Sequence, residues 1–484
     1  MSRNPLSLCI ALALAVMPGL LAAQTPPAQT TVQGQAAPVA TPAPPDADTQ
    51  NADGEPQAQD DAGEDVAALA EDIAALAAAK VPLAEIRRYV TVYNAIKQAY
   101  VDPVDDHRLM QMAVRGLLFG LDPHSAYLEK DDAQEFEEQT RGSYDGVGLE
   151  LQQLPDGTLR VIAPLDDSPA ARAGLRSGDR IVAIDGKLLI PGQNDASAPL
   201  RGKAGTKVVV RVLREGVREP IELTLVRDTI RTTSVRGRLL EPGFGYLRIA
   251  SFQADTAAQF VKQLDALQAS GPLRGLVIDL RSNPGGLLIG AVEIADELLD
   301  HGNIVSTRGR AAIGTTRFEA TPGDRLHGAP VVVLVDAGSA SAAEVLAGAL
   351  QDNRRARVVG SRTFGKGSVQ TLLPLDNGDA VKLTTARYYT PSGHSIQARG
   401  IQPDVVLHPQ GGKPAPAPVS EAELPGHLAA EAGALEGDNA GEVLPGTAPI
   451  TAALRELKAM AGVPVASGGN PAGPAKKSAK PAGQ

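Results

Sequence analysis

After Arg231 the chain alternates short runs of branched aliphatic residues with longer stretches of helical period. GLVIDLR (275–281) and PVVVLVD (330–336) are almost wholly apolar. A strand of that kind is stable only where both of its faces are covered. Between and after them, TAAQFVKQLDALQA (256–269), GLLIGAVEIADELL (286–299) and SAAEVLAGALQDN (341–353) repeat apolar residues at three- and four-residue intervals, the spacing of an amphipathic helix. GFGYLRI (243–249), ARVVG (356–360), VQTLLPL (369–375) and AVKLTTARYY (380–389) read as further strands. Strand and helix in alternation predict an α/β core over 229–410. All fifteen aromatic residues, seven Phe and eight Tyr with no Trp, lie between Tyr89 and Tyr389, so the folded mass is expected within roughly 80–410.

Upstream the grammar differs. From Gly142, GSYDGVGLELQQL, LRVIAPL, SPAARAGLRSGDRIVAIDG, TKVVVRVLR and IELTLVR predict a β-rich domain over 140–228, five or six strands with a short helix at 169–174. Residues 63–139 read as helical. Ile86, Tyr89, Val90, Tyr93, Ile96 and Tyr100 form one stripe, Asp102-Pro103 stops that helix, a second runs over about 106–120, and LDPHSAYL makes a turn. Val66, Leu69, Ile73 and Leu76 form an earlier stripe. Residues 24–62, rich in Pro, Ala, Gln, Thr and Asp, read as a disordered acidic linker. Residues 1–23 carry Arg3 and an apolar run to Ala23, the form of a secretory signal, so an exported, periplasmic protein is expected, with an uncleaved inner-membrane anchor as the alternative. The tail 411–484 holds one helical segment, 450–461, in a partly disordered extension. The single cysteine, Cys9, excludes an intrachain disulfide, and a net charge of −10 argues against a nucleic-acid surface. No His and carboxylate spacing suggests a metal, and no cofactor is expected.

Three turns in the α/β region carry groups able to do chemistry together. GSASAAEVLAGAL (338–350) follows a buried strand and opens a helix; a serine there sits on rigid backbone beside helix-start amides that favour negative charge, although taken alone the segment reads first as a plain N-cap serine. TFGKGSVQ (363–370) places Lys366 between two glycines; burial would make its neutral amine available as a base, whereas a solvated turn would not. DLRSNPGG (279–286) ends a strand in adjacent glycines, whose amides can approach a carbonyl oxygen. Nucleophile, base and oxyanion hole are the minimum set for acyl transfer.

Seven segments carry a family likeness: YVDPVDDHRLMQMAVRGLLFGLDPHSAYL (100–128), DGVGLEL (145–151), SPAARAGLRSGDRIVAIDG (168–186), LRSNPGG (280–286), SASAAEVLAGALQD (339–352), FGKGSVQ (364–370) and YYTPSGHSIQARGIQPD (388–404). With these the chain resembles the C-terminal processing peptidases, or tail-specific proteases, over roughly 82–410. The resemblance implies a mixed α/β, multidomain fold: an N-terminal helical segment, a PDZ domain over 140–228 and a crotonase-like Ser–Lys protease core. It implies Ser341, rather than Ser339, as nucleophile, Lys366 as general base and Gln370 as the residue that orients the lysine. Ala342 with Gly285 or Gly286 would form the oxyanion hole. In the PDZ domain the amides of Val147, Gly148 and Leu149 would hold a substrate's terminal carboxylate. Ala343 stands where the family usually has serine, and His394 where arginine is common. The implied partners are unfolded or partly folded proteins with apolar C-termini, further copies of the chain, and a helical-repeat lipoprotein adaptor. The helices at 66–76 and 450–461 would serve assembly. The rivals are a Ser-His-Asp triad through His124 or His394, an inert PDZ scaffold, and a crotonase-like acyl-transforming enzyme.

Overall fold

The computed structural model describes residues 81–192, 195–311, 313–409, 419–431 and 441–463. The expected signal segment, the linker and the 66–76 stripe lie outside them. The described chain opens with α1 (Leu83–Ala99) and α2 (Asp106–Phe119), the latter capped by Asp105, whose carboxylate accepts from the Arg108 N–H at 3.0 Å. The α1 stripe forms as its period requires, yet α1 buries no residue. Ile86, Tyr89, Val90 and Ile96 stay exposed, as do Leu117 and Phe119 of α2, at 73% and 86%. The second half of the LDPHSAYL turn is a strand, β1 (Ala126–Leu128), which pairs antiparallel with Ala380–Lys382. Helix α3 (Lys130–Arg141) follows and ends at Gly142, whose φ of 74° is the left-handed cap glycine favours.

The β-rich unit comprises β2 (Ser143–Gly146), β3 (Leu149–Gln153), β4 (Leu159–Pro164), helix α4 (Pro169–Arg172), β5 (Arg180–Ile184), β6 (Lys187–Leu188), β7 (Lys207–Leu213), β8 (Ile221–Val226) and β9 (Asp228–Arg231). Its sheet runs β3-β4-β5-β7-β8, with β6 on β5, so β3 is an edge strand. In KVVVRVL, Val208, Val210 and Val212 are fully buried while their neighbours face outward, the two-residue period of a sheet with one covered face. The entering strand β2 pairs with the leaving strand β9, which joins the unit to the core through a two-stranded neck.

The core runs β10 (Val235–Glu241), β11 (Phe244–Ile249), α5 (Thr256–Gln268), β12 (Gly275–Asp279), α6 (Leu288–Asp296), β13 (Asn303–Gly309), β14 (Thr315–Glu319), β15 (Val331–Val335), α7 (Ala342–Asp352), β16 (Ala356–Gly360), β17 (Ser368–Pro374), β18 (Ala380–Tyr389), β19 (Val405–Val406) and α8 (Ala448–Met460). One sheet has the order β10-β11-β12-β15-β16-β19, all parallel apart from β10. Because the parallel strands advance in one direction, crossovers of one hand put α5, α6 and α7 on the same face. That face carries Leu247, Ile278, Val331, Val333 and Val335. The other carries Tyr246, Val277, Val332 and Leu334, and α8 covers it with Ile450, Ala453 and Leu457. Alternate valines of one strand thus serve two cores, which is why VVVLV is apolar throughout. It also corrects an expectation: the apolar stripe of 450–461 is spent on the chain's own sheet rather than left for assembly. The second sheet, β1-β18-β13-β14 with β17 on β18, includes a hairpin, β13–β14, that the polar, glycine-containing sequence there does not announce.

Candidate active site

The three chemistry-bearing turns leave the carboxyl ends of neighbouring parallel strands β12, β15 and β16, where open α/β sheets form their crevices. Ser341 precedes α7 with φ 55° and ψ −118°, a conformation costly for a residue with a side chain and typical of a serine displayed on a sharp strand-to-helix turn. It is 6% exposed, and the fully buried Tyr388 hydroxyl, pushed up to about 12 by burial, faces its side chain. Ser339 is held differently. Its hydroxyl donates to the Leu280 carbonyl at 2.8 Å and accepts from the Asp336 N–H at 3.0 Å, so it stitches two strand ends together.

The glycine pair lies against the serine. A Cβ on Gly285, at φ 97°, would stand 2.7 Å from the Ser341 Cβ and 3.1 Å from the Ala342 nitrogen; one on Gly286, at φ 135°, would stand 2.0 Å from the Phe252 carbonyl oxygen. The Gly285 N–H already donates to Asn283 Oδ1 at 2.8 Å. The amides of Gly286 and Ala342 have no acceptor among the described hydrogen bonds. Ala342 is the first residue of α7, one of the donors a helix leaves unpaired at its start. Of the two glycines, Gly286 is the one whose amide is available.

Lys366 and Ser341 are joined by a group the sequence reading missed. Glu344 is fully buried. Its Oε2 accepts from the Ser341 N–H at 2.8 Å and the Lys366 N–H at 2.9 Å, and its Oε1 from the Gly365 N–H at 2.7 Å and the Thr363 hydroxyl at 2.5 Å. Burial raises its pKa to about 7, against the lowering effect of those four bonds. Serine followed three residues later by glutamate is the capping-box pattern, a signal legible in SAAE. Lys366 itself makes no ion pair among the described residues. Burial, with Lys382 as a second cationic neighbour, brings its pKa down to about 8, and Glu421, Glu344 and Asp122 oppose that shift.

The remaining expected residues are placed less directly. Gln370 donates to the Ser368 hydroxyl at 3.0 Å and the Thr384 hydroxyl at 3.2 Å; among the described residues no hydrogen bond joins it, or Ser341, to the Lys366 amine. Thr384 donates in turn to Asp122, so the LDPHS turn is tied to the strands beside the lysine. His124 is paired with Glu421 at 2.8 Å and His394 with Ser392 at 2.9 Å, and neither ring bonds Ser341. No group of three or more metal-ligating side chains occurs among the described residues. In the β-rich unit Val147 and Gly148 are buried and Leu149 half-buried; the carbonyls of the first two are taken by Ala170 and Leu165, while their amides have no acceptor among the described hydrogen bonds. Gly148, at φ 72°, is packed so closely that a Cβ would lie 2.4 Å from that of Ser168.

Residues 243–407 match the model of peptidase family S41, residues 160–214 that of a PDZ domain, and residues 50–132 that of the activating protease CtpB N-terminal domain. A carboxy-terminal-processing protease of Bartonella bacilliformis is 42% identical over 352 residues, 71% of this chain and 80% of that protein. The chain belongs to the family of carboxy-terminal processing proteases. It is a serine-type peptidase of mixed α/β fold, with an S41 core and a PDZ domain. A second relative, the carboxy-terminal processing protease CtpA of Bacillus subtilis, is 36% identical over 65% of this chain and 67% of its own length. The solved structure of a photosystem II D1 C-terminal processing protease is 34% identical over 66% of this chain and 92% of its own, with a TM-score of 0.40. Among the described residues of the protease, no helix is long and apolar enough to cross a membrane.

Proposed function

We propose that the protease is an exported, periplasmic endopeptidase that engages the C-termini of unfolded or partly folded proteins through its PDZ domain and cuts them with a Ser341–Lys366 pair. The observation that carries this is the shared carboxylate of Glu344, which binds the backbone of both residues and so holds serine and lysine in one unit. Neutral Lys366 takes the proton from the Ser341 Oγ as it attacks the scissile carbonyl. The Ala342 and Gly286 amides receive the oxyanion. The ammonium then protonates the leaving amine, and a water deprotonated by the regenerated neutral lysine hydrolyses the acyl-enzyme. Gln370, whose amide donates to Ser368 and Thr384, is assigned the role of orienting the lysine. No cofactor enters any step. The edge strand β3 offers its outer edge to an extended peptide, and the Val147 and Gly148 amides receive its terminal carboxylate.

The test uses an unfolded reporter with apolar C-terminal residues, presented as the free acid and as the C-terminal amide. Losing a charge-assisted carboxylate contact is expected to reduce kcat/KM about 10- to 100-fold for the amide. Equal rates would reject carboxylate recognition. A fluorophosphonate probe should modify Ser341 and no other serine, as read by peptide mass spectrometry; labelling of Ser339, or of neither, would reject the assigned nucleophile.

The exposed apolar faces of α1 and α2 support association with further copies, and a helical-repeat lipoprotein adaptor would compete for the same faces. Charged substitution of Leu117 and Phe119 to Asp is expected to lower the mass seen by light scattering toward that of one 50.1 kDa chain. An unchanged mass would remove these helices from the contact.

A further inference from the structure

A segment beyond the S41 match enters the neighbourhood of Lys366. Residues 419–431 lie past residue 407, where that match ends, and form a strap around a single turn at Glu421–Glu423. The strap is fixed to the lysine loop by backbone, the Glu421 N–H donating to the Phe364 carbonyl at 3.1 Å. Its Glu421 side chain is fully buried. One carboxylate oxygen accepts from Gln397 Nε2 at 2.8 Å; the other pairs with His124 Nε2 at 2.8 Å. Gln397, also fully buried, uses its Oε1 to accept the Gly367 N–H at 3.0 Å, and its Nε2 donates further to the Leu428 carbonyl of the strap at 3.0 Å. The fit at that point is close. A Cβ on Gly367 would lie 2.2 Å from the Gln397 nitrogen. The glycine after the lysine therefore rests on Gln397, and Gln397 is clamped by the strap. Glu431 closes the far end on the Tyr389 hydroxyl, one residue from the tyrosine that faces Ser341.

We propose that Glu421 is a positioning residue for Lys366: the strap sets a buried carboxylate beneath the lysine loop, and through Gln397 and the Gly367 amide it holds the amine where it can reach the serine. Glu344 fixes the loop from the α7 side, at Gly365 and at the Lys366 N–H. Glu421 fixes it from the opposite side, at Gly367, so the lysine is gripped on both flanks. The strap also has an electrostatic effect. The charged groups that act on Lys366 are Lys382 from β18, which disfavours its ammonium, and Glu421, Glu344 and Asp122, which favour it. Removing the Glu421 charge thus shifts Lys366 further toward the neutral amine, and removing the whole side chain also loosens its loop.

The inference rests on Lys366 being the base, and the test separates the two. Glu421→Gln keeps the volume and the bond from Gln397 but removes the charge; Glu421→Ala removes both; Glu423→Gln, exposed in the same strap, is the control. Reporter cleavage is measured across pH with full-length protein. The plateau kcat of Glu421→Ala, which loses the bond from Gln397, is expected to fall at least about tenfold with KM little changed, since a misplaced base costs rate rather than binding, and that of Glu421→Gln, which keeps the bond, is expected to fall less. The ascending limb of the kcat/KM profile should move to lower pH in both Glu421 variants, and Glu423→Gln should match the parent. In parallel, Lys366 is titrated by NMR of lysine labelled at Cε in the Ser341→Ala protein, with and without Glu421→Gln; its midpoint should move down. A parental plateau kcat in both Glu421 variants overturns the proposal. So does a loss of kcat with the pH limb and the Lys366 titration unmoved, the result of a purely structural role. Full activity in Lys366→Ala would instead remove the Ser–Lys reading, and the titration would still decide whether Glu421 acts on the lysine.

Discussion

Alanine at Lys366 is expected to lower kcat/KM on the order of 10⁴- to 10⁶-fold, the loss seen when the nucleophile or base of a hydrolase that acts as a unit is removed. Ser341→Ala should lose about as much, and the double variant no more than either single one, because both residues serve one proton transfer. Lys366→Arg should be as inactive as alanine: its guanidinium stays protonated at any working pH and cannot accept the serine proton. In the parent, kcat/KM should rise with pH through about 8, where burial has brought the lysine, and level above it. The lysine's contribution to stability should also rise with pH. The folded-state pKa of Lys366 lies below its ordinary value of 10.5. Between about 8 and 10.5 the unfolded chain binds more protons than the folded one, so the lysine's contribution to stability grows with pH across that window and is unfavourable below it. Lys366→Met should therefore raise the unfolding midpoint at pH 7 while abolishing cleavage. A variant that is both active and unchanged in its pH profile would dismiss the lysine; one inactive but no more stable would dismiss the account of its burial.

What the sequence made legible followed from period and punctuation. PVVVLVD is readable as a doubly covered strand because its apolar run is short, unbroken and made mostly of β-branched valine. KVVVRVL is readable as one face of a sheet because its valines alternate. The three chemistry-bearing turns were legible because strand ends, glycine pairs and a glycine-flanked lysine are local patterns. Glu344 had a local signal in its capping box, yet nothing local shows that the same carboxylate reaches Gly365 and Lys366, which are brought to it only by the pairing of β15 with β16. Glu421 had no signal at all. It sits in a proline-rich, unpatterned tail, and its role exists only through contacts with Gln397 and His124, the latter 297 positions away. The α1 stripe marks the complementary limit: periodicity reports that a face is apolar, not which molecule covers it.

Removing Glu344 should lower kcat by at least about 10²-fold, although Glu344 touches no substrate. In Glu344→Ala four donors, the amides of Ser341, Gly365 and Lys366 and the Thr363 hydroxyl, lose their acceptor inside a site from which water is largely excluded. Each unsatisfied buried donor costs about 1–3 kcal/mol, more than the site can absorb without rearranging. The arrangement most easily given up is the strained one, and that is Ser341 with its positive φ. A displacement of about 1 Å at the serine or the lysine costs on the order of 10²-fold in rate, so kcat should fall at least that far. Glu344→Gln cannot rescue it, because both oxygens of the carboxylate already accept two bonds and an amide NH₂ would meet two donors. Glu344→Asp keeps the charge but is one methylene short of the lysine loop. The distinguishing readout is acid sensitivity. Glu344 is held near 7, so below that pH it takes up a proton and an oxygen that accepted two N–H donors must become a donor itself. Since its folded-state value lies above its ordinary 4.5, the folded chain gains stability from this protonation as pH falls from about 7 to 4.5, even while the serine and lysine lose their shared anchor. Cleavage should therefore decline below pH 7 faster than the lysine alone dictates, with the protein still folded by circular dichroism. If Glu344→Gln retained parental kcat, or if the acid limb followed a single ionisation near 8, the shared carboxylate would be a cap for α7 and nothing more.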